Sequence, residues 1–143
     1  LEQLTIICNN YDSLSYSLFD GDSHKLMRQS DIVLLASGTT ALEAMLLKKP
    51  MVVAYKLHWL TYLVAKPFIK TKYVSIPNLL AKKMLVPELL QDQATTDSIA
   101  EALRKIIYET DIQQLQISFH NLSNLLIKDS GKLSALRIKE LLD

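Results

Sequence analysis

Apolar positions fall into two rhythms along the chain. Through the first half they come as short runs bounded by polar or turn-forming residues: Leu4–Cys8, Tyr16–Phe19, Ile32–Ala36, Met51–Tyr55 and Tyr73–Ile76, each of strand length. Between them lie segments of helical character, clearest at His24–Gln29, Thr40–Lys48 and Trp59–Ile69. Strands alternating with helices predict an α/β chain with a mostly parallel sheet wrapped on both faces. From about Asp97 the period lengthens. Ile99, Ala102, Leu103, Ile106 and Ile107 recur at helical spacing, followed by Ile112, Leu115, Ile117, Phe119, Leu122 and Leu125-Leu126-Ile127. Lys128-Asp129-Ser130-Gly131 interrupts this helical tail with turn chemistry, and a last helix is predicted over about Lys132–Leu142.

The best-defined unit runs from Asp31 to Tyr55. Ile32–Ala36 has no polar alternation, as suits a strand covered on both sides, and Ser37-Gly38-Thr39-Thr40 then makes a turn of small residues before a helix begins. The first N–H groups of that helix have no partner within it and point at whatever sits above the strand, which favours an anionic group. Glu43, one turn further on, is placed to accept hydrogen bonds from a pair of sugar hydroxyls. Thr40-Ala41-Leu42-Glu43 also matches a capping box, in which Glu43 would serve only the helix end. Position after a buried strand raises the turn above a common Ser-Gly-Thr, because open α/β sheets bind ligands outside the carboxyl ends of their strands.

Composition narrows the choices. The chain has 143 residues, 49% of them apolar, enough for one domain with a real core. Sixteen Lys and Arg against 15 Asp and Glu remove any global basis for binding nucleic acid. The lone Cys8 reads as an inert buried thiol, and the lack of disulfide potential suits a reducing compartment such as the cytosol. No signal peptide is visible, and an abrupt start without an initiator methionine makes the chain read as a fragment. No apolar run approaches the ~18 residues needed to cross a bilayer.

Other candidates weigh differently. Asp20-Gly21-Asp22 could hold a divalent cation but is more simply a turn and helix N-cap ahead of Ser23-His24-Lys25. His24, His58 and His120 show no ligand spacing, and no nucleophilic arrangement is present. Lys56–Lys72 mixes aromatic and aliphatic bulk with lysines at its edges, and reads either as a core helix or as an interfacial segment meeting anionic lipid. Asn78, after Ser75-Ile76-Pro77, would stand at a strand end on the same edge as the Ser37–Thr40 turn.

Three blocks, residues 30–46, 49–56 and 73–81, together with Val86–Gln91, closely resemble the lipid-A-disaccharide synthase family over its C-terminal portion. The Tyr73–Ala81 block is distinctive, whereas the Ser-Gly-Thr…Glu pattern is shared with other GT-B transferases of UDP-sugars. The resemblance implies a Rossmann-like domain that binds the nucleotide sugar (residues 1–128), then a C-terminal helix (129–143) crossing to the N-terminal domain of the same or a second subunit, as in a swapped homodimer. It implies transfer of 2,3-diacylglucosamine from UDP-2,3-diacylglucosamine to 2,3-diacylglucosamine 1-phosphate (lipid X), releasing UDP. That reaction is inverting, uses no metal or other cofactor, and belongs to lipid A synthesis at the cytoplasmic face of the inner membrane of Gram-negative bacteria.

Carried over, Ser37, Gly38, Thr39 and Thr40 would cradle the diphosphate, Glu43 would bind the ribose and Asn78 would lie near the diphosphate or sugar. Glu88 and Gln91 are weaker candidates at the cleft edge. The expected base, an N-terminal-domain aspartate, is not in this chain, so the fragment alone should be inactive. Rival readings are another GT-B protein using UDP-GlcNAc, transferase or epimerase, and a non-catalytic membrane-associated module.

Overall fold

The computed structural model describes Thr5, Ile7, Cys8, residues 15–36, 38–57 and 71–126, and Ile138 and Lys139. Along these residues the order is helix α1 (Ser23–Gln29), strand β1 (Val33–Leu35), α2 (Thr39–Leu46), β2 (Met51–Tyr55), α3 (Ile76–Ala81), β3 (Glu88–Leu90), a 3-10 turn (Gln91–Gln93), α4 (Thr96–Tyr108) and α5 (Ile112–Leu126). The chain is α/β, and its three strands form a parallel sheet in the order β1-β2-β3. Leu35, Val53 and Glu88 stand side by side across it.

Strand alternation sorts the core into two layers. Leu35, Met51 and Val53 face α2 and α5, where they pack with Ala41, Ala44, Met45 and Phe119. Val52 faces the other way, onto Ala102 and Ile106 of α4. β2 is buried on both faces because it lies between two strands and between two helical layers. Pro50 and Pro87 stand just ahead of β2 and β3, each accepting one hydrogen bond through its carbonyl, from Val33 and Val53, while giving up a donor that the ladder does not require there.

The helical half follows its pattern. Thr95 caps α4 by accepting from the Ser98 N–H, and α4 buries Ala102 and Ile106. α5 buries Leu115, Phe119 and Leu122, while the Ser123 hydroxyl, also buried, donates back to the Phe119 carbonyl. Asp22 is the N-cap of α1 and its carboxylate accepts from the Lys25 N–H, so the Asp20–Asp22 turn has the capping role its composition favoured.

Several expected strands are corrected. Thr5, Ile7 and Cys8 are helical, and Cys8 is half-buried rather than sealed; a short apolar run does not by itself distinguish helix from strand. Tyr16–Phe19 has no regular structure and Phe19 is 60% exposed, since among the described residues no neighbouring strand pairs with it. β1 is shorter than Ile32–Ala36 and among the described residues has a neighbour on one side only, with Leu34 50% exposed instead of covered. Tyr73–Ile76 is not a strand. Pro77 lies in the first turn of α3, where its fixed φ and missing N–H suit a helix start. β3 takes the place expected for that strand; the polar Pro87-Glu88 pair hid it in the sequence. The helix expected at Trp59–Ile69, the Lys128–Gly131 turn and most of the final helix lie outside the described residues, although Ile138 and Lys139 are helical.

Candidate functional site

The chain leaves β1 at Leu35, turns through Ala36 and Gly38, and starts α2 at Thr39. Gly38 has φ 125° and ψ −153°, a conformation open essentially to glycine alone, and a Cβ added there would meet nothing within 4 Å. Glycine is therefore required by the backbone, and the space beside it is open to a ligand. Among the described residues no side chain caps α2. The Ala41 N–H turns back onto the Gly38 carbonyl, whereas among the described residues the Thr39 and Thr40 N–H groups have no partner. Gly38 and Thr39 are exposed and Thr40 half-buried. Ser37 lies outside the described residues.

Glu43 lies on α2, four residues after Thr39 and three after Thr40, so the three share one face near the N-terminal end. It is half-buried, and among the described residues its carboxylate has no hydrogen-bond or ion-pair partner. The capping box is not formed. The helix begins two residues earlier than that motif requires, with Gly38 rather than Thr40 as N-cap, so Glu43 is released from the structural role that competed with a functional one.

Asn78 and Glu88 belong to a different arrangement. Asn78 is 0% exposed and lies within α3, not at a strand end. Its Nδ2 donates to the Val86 carbonyl (2.8 Å) and to Glu88 Oε1 (2.8 Å), and its Oδ1 accepts from the N–H groups of Leu85 (2.7 Å) and Val86 (3.0 Å). Two donors and two lone pairs are thus all engaged inside the fold, and no polar atom of the Asn78 side chain is left to meet a ligand. Glu88 additionally accepts from the Val74 and Ser75 N–H groups and the Ser75 hydroxyl. Gln91 accepts from the Leu57 N–H (2.6 Å) and donates to the Leu57 carbonyl (3.3 Å). Glu88 and Gln91, three residues apart, therefore fasten the backbone on either side of residues 58–73. Ser75, which sequence reasoning passed over, is buried in the same network because its hydroxyl serves Glu88 rather than the helix end.

The two groups are neighbours. α2 packs beside α3. Glu88, the first residue of β3, stands level with Leu35, the last residue of β1, so the Asn78–Glu88–Ser75 network is at the height at which the chain leaves β1 for the Gly38 turn, with β2 between them. A cavity of about 390 Å³ lined by Asp31, Ile32, Lys49 and Pro50 is at the opposite end and belongs to neither group. Among the described residues, no cluster of His, Cys, Asp or Glu could hold a metal ion.

Comparison with known proteins gives one consistent result. The model of the family described as lipid-A-disaccharide synthetase matches residues 2–140. A lipid-A-disaccharide synthase of Pseudomonas entomophila is 47% identical over 129 residues, which cover 90% of this chain and 34% of that protein. That of Pseudomonas fluorescens is 52% identical over 105 residues, 73% of this chain and 28% of the relative. One from Alcanivorax borkumensis is 39% identical over 143 residues, 99% of this chain and 37% of the relative. The chain spans about a third of the length of the curated relatives it matches.

Proposed function

Because the chain belongs to the lipid-A-disaccharide synthetase family, we propose that it is the donor-binding part of a glycosyltransferase of lipid A biosynthesis. The donor is UDP-2,3-diacylglucosamine, the acceptor 2,3-diacylglucosamine 1-phosphate, and UDP leaves. The observation that carries this reading is the α2 N-terminus: a glycine-only turn at the carboxyl end of β1, two N–H groups at Thr39 and Thr40 with no partner among the described residues, and one turn below a carboxylate likewise without a partner among them. Such an end holds the diphosphate, with Ser37 completing the turn, and Glu43 takes the ribose hydroxyls.

Transfer of the sugar places growing negative charge on the departing UDP. N–H groups fixed in advance at a helix N-terminus stabilise that charge without reorganising, and the helix dipole adds to them. Asn78, whose own atoms are engaged, serves here as a positioning residue. With Glu88 it fixes α3 beside α2 and so fixes the rim of the cradle. The base that takes the acceptor proton lies outside this chain, which alone is inactive. Residues 1–128 form the donor domain, and the helix within 129–143 packs on the N-terminal domain or on a partner subunit of a swapped homodimer. The enzyme works at the cytoplasmic face of the inner membrane. No helix among the described residues is long and apolar enough to cross a bilayer, in keeping with peripheral attachment.

Glu43→Ala in the enzyme tests the site. Calorimetric titration with UDP should show affinity falling at least tenfold, with turnover reduced in parallel, as expected when a charge-assisted pair of hydrogen bonds is removed. UDP affinity within twofold of wild type would reject the assignment. Comparing acylated with unacylated UDP-glucosamine donors separates this enzyme from other UDP-sugar transferases and from an epimerase.

A further inference from the structure

β2 ends, at the carboxyl edge of the sheet, in a side chain with a hydroxyl. Met51 and Val53 face α2 while Val52 faces α4, so strand alternation puts Tyr55, the last residue of β2, on the α2 side. The cross-strand neighbours agree. Leu89, beside Ala54, packs with Val52 and α4, whereas Glu88, beside Val53, reaches Ser75 and Asn78 on the other side. Tyr55 thus follows Val53 on the same face, one step nearer the carboxyl edge than Glu88 and level with Leu90. β1 is the adjacent strand, about 4.8 Å away. Its chain reaches Gly38 three residues past Leu35, and Tyr55 is two residues past Val53, the partner of Leu35. The tyrosine and the opening turn of α2 therefore rise side by side from neighbouring strands.

The backbone at Tyr55 is fixed from two sides. Tyr55 itself is laddered to Leu90, and two residues on Leu57 is gripped by the Gln91 amide, which accepts from its N–H at 2.6 Å and donates to its carbonyl at 3.3 Å. Gln91 has φ 53°, a left-handed conformation that is costly for any residue but glycine. That turn carries the Gln91 backbone away from β2, and its side chain pairs with Leu57 instead. The Tyr55 side chain is half-buried, and its hydroxyl has no hydrogen-bond partner among the described residues. Ser75, Asn78 and Glu88, on the same side of the sheet, are bonded to one another and leave that hydroxyl out. The next residue, the exposed Lys56, falls by alternation on the α4 side.

We propose that Tyr55 is a substrate contact, its hydroxyl donating a hydrogen bond to a diphosphate oxygen of the UDP-sugar alongside the Thr39 and Thr40 N–H groups. A donor held on a laddered strand needs no reorganisation as charge gathers on the departing UDP, so the bond strengthens during transfer. The inference rests on the donor-site reading, which supplies the ligand.

Tyr55→Phe in the intact enzyme tests it, because the change deletes one oxygen and keeps the ring. UDP affinity in calorimetric titration should fall about tenfold, and turnover should fall at least as far. Affinity for uridine, which has no phosphate, should be unchanged in NMR titration, and the urea unfolding midpoint should match wild type. Glu43→Ala, measured in parallel, should weaken uridine and UDP alike and keeps the two failures apart. Unchanged UDP affinity in Glu43→Ala would remove the donor-site reading, and this contact with it. Weakened binding in Glu43→Ala, with UDP affinity reduced less than threefold in Tyr55→Phe, would overturn the Tyr55 contact alone. A matching loss of uridine affinity in Tyr55→Phe would put the side chain against the nucleoside and overturn the diphosphate contact. A midpoint lowered by more than about 0.5 M would show the hydroxyl bonded within the fold and overturn it equally.

Discussion

Replacing Asn78 by alanine separates a positioning residue from a ligand contact. The substitution strands two backbone donors, the N–H groups of Leu85 and Val86, the latter residue being 1% exposed, and withdraws a donor from Glu88. Each orphaned buried donor costs about 1–3 kcal/mol, so a loss of roughly 2–5 kcal/mol is expected once partial rescue by water is allowed for. With a urea dependence of about 1.5 kcal/mol per molar, the unfolding midpoint followed by far-UV dichroism should fall by roughly 1–3 M. Asn78→Asp sharpens the test. It keeps the acceptor for both N–H groups but sets an oxygen where Nδ2 stood, 2.8 Å from the Val86 carbonyl and 2.8 Å from Glu88 Oε1. Only a protonated carboxyl fits that position, so the introduced group is easier to protonate in the folded than in the unfolded chain. Its stability deficit should therefore grow as pH rises from about 4 to 7. A loss below about 1 kcal/mol for Asn78→Ala, with UDP affinity reduced, would refute the positioning role and make the amide a direct contact.

Other expectations follow from the same geometry. Gly38→Ala meets no clash but must hold alanine at φ 125°, so it should destabilise by about 1–3 kcal/mol and weaken UDP binding, measured by denaturation and calorimetry on one preparation. Phe119→Ala removes the largest fully buried side chain and should cost about 3–5 kcal/mol in urea unfolding, against under about 1 kcal/mol for the exposed Ile107→Ala. Gln91→Ala releases the Leu57 backbone, and hydrogen exchange at the Leu57 N–H should accelerate while that in α4 does not. Thr95→Ala removes the α4 cap and should cost about 0.5–2 kcal/mol.

The sequence by itself determined the layers. Met51–Tyr55 is unbroken and apolar, so it had to be a strand buried on both faces, and the helical period from Ile99 to Leu126 placed α4 and α5, although Ile107, Ile117 and Leu125 of that pattern face outward. It also determined the Gly38 turn and the helix after it, because local residue types dictate a tight turn at the end of a buried run. Local pattern did not decide pairing. Tyr16–Phe19 has the composition of a strand but pairs with no strand among the described residues, whereas Glu88–Leu90 has poor strand composition and pairs with β2. A strand exists only where another strand supplies its hydrogen bonds, and that partner is distant in sequence. Whether the side chains of Glu43 and Asn78 are engaged within the fold was likewise decided by tertiary structure. A two-residue difference in where α2 begins frees Glu43 from capping, and the approach of residues 85–88 to α3 closes every hydrogen bond of the Asn78 side chain. Spacing along a chain fixes which side chains share a helix face; which polar groups remain open to a ligand depends on what the rest of the fold brings against them.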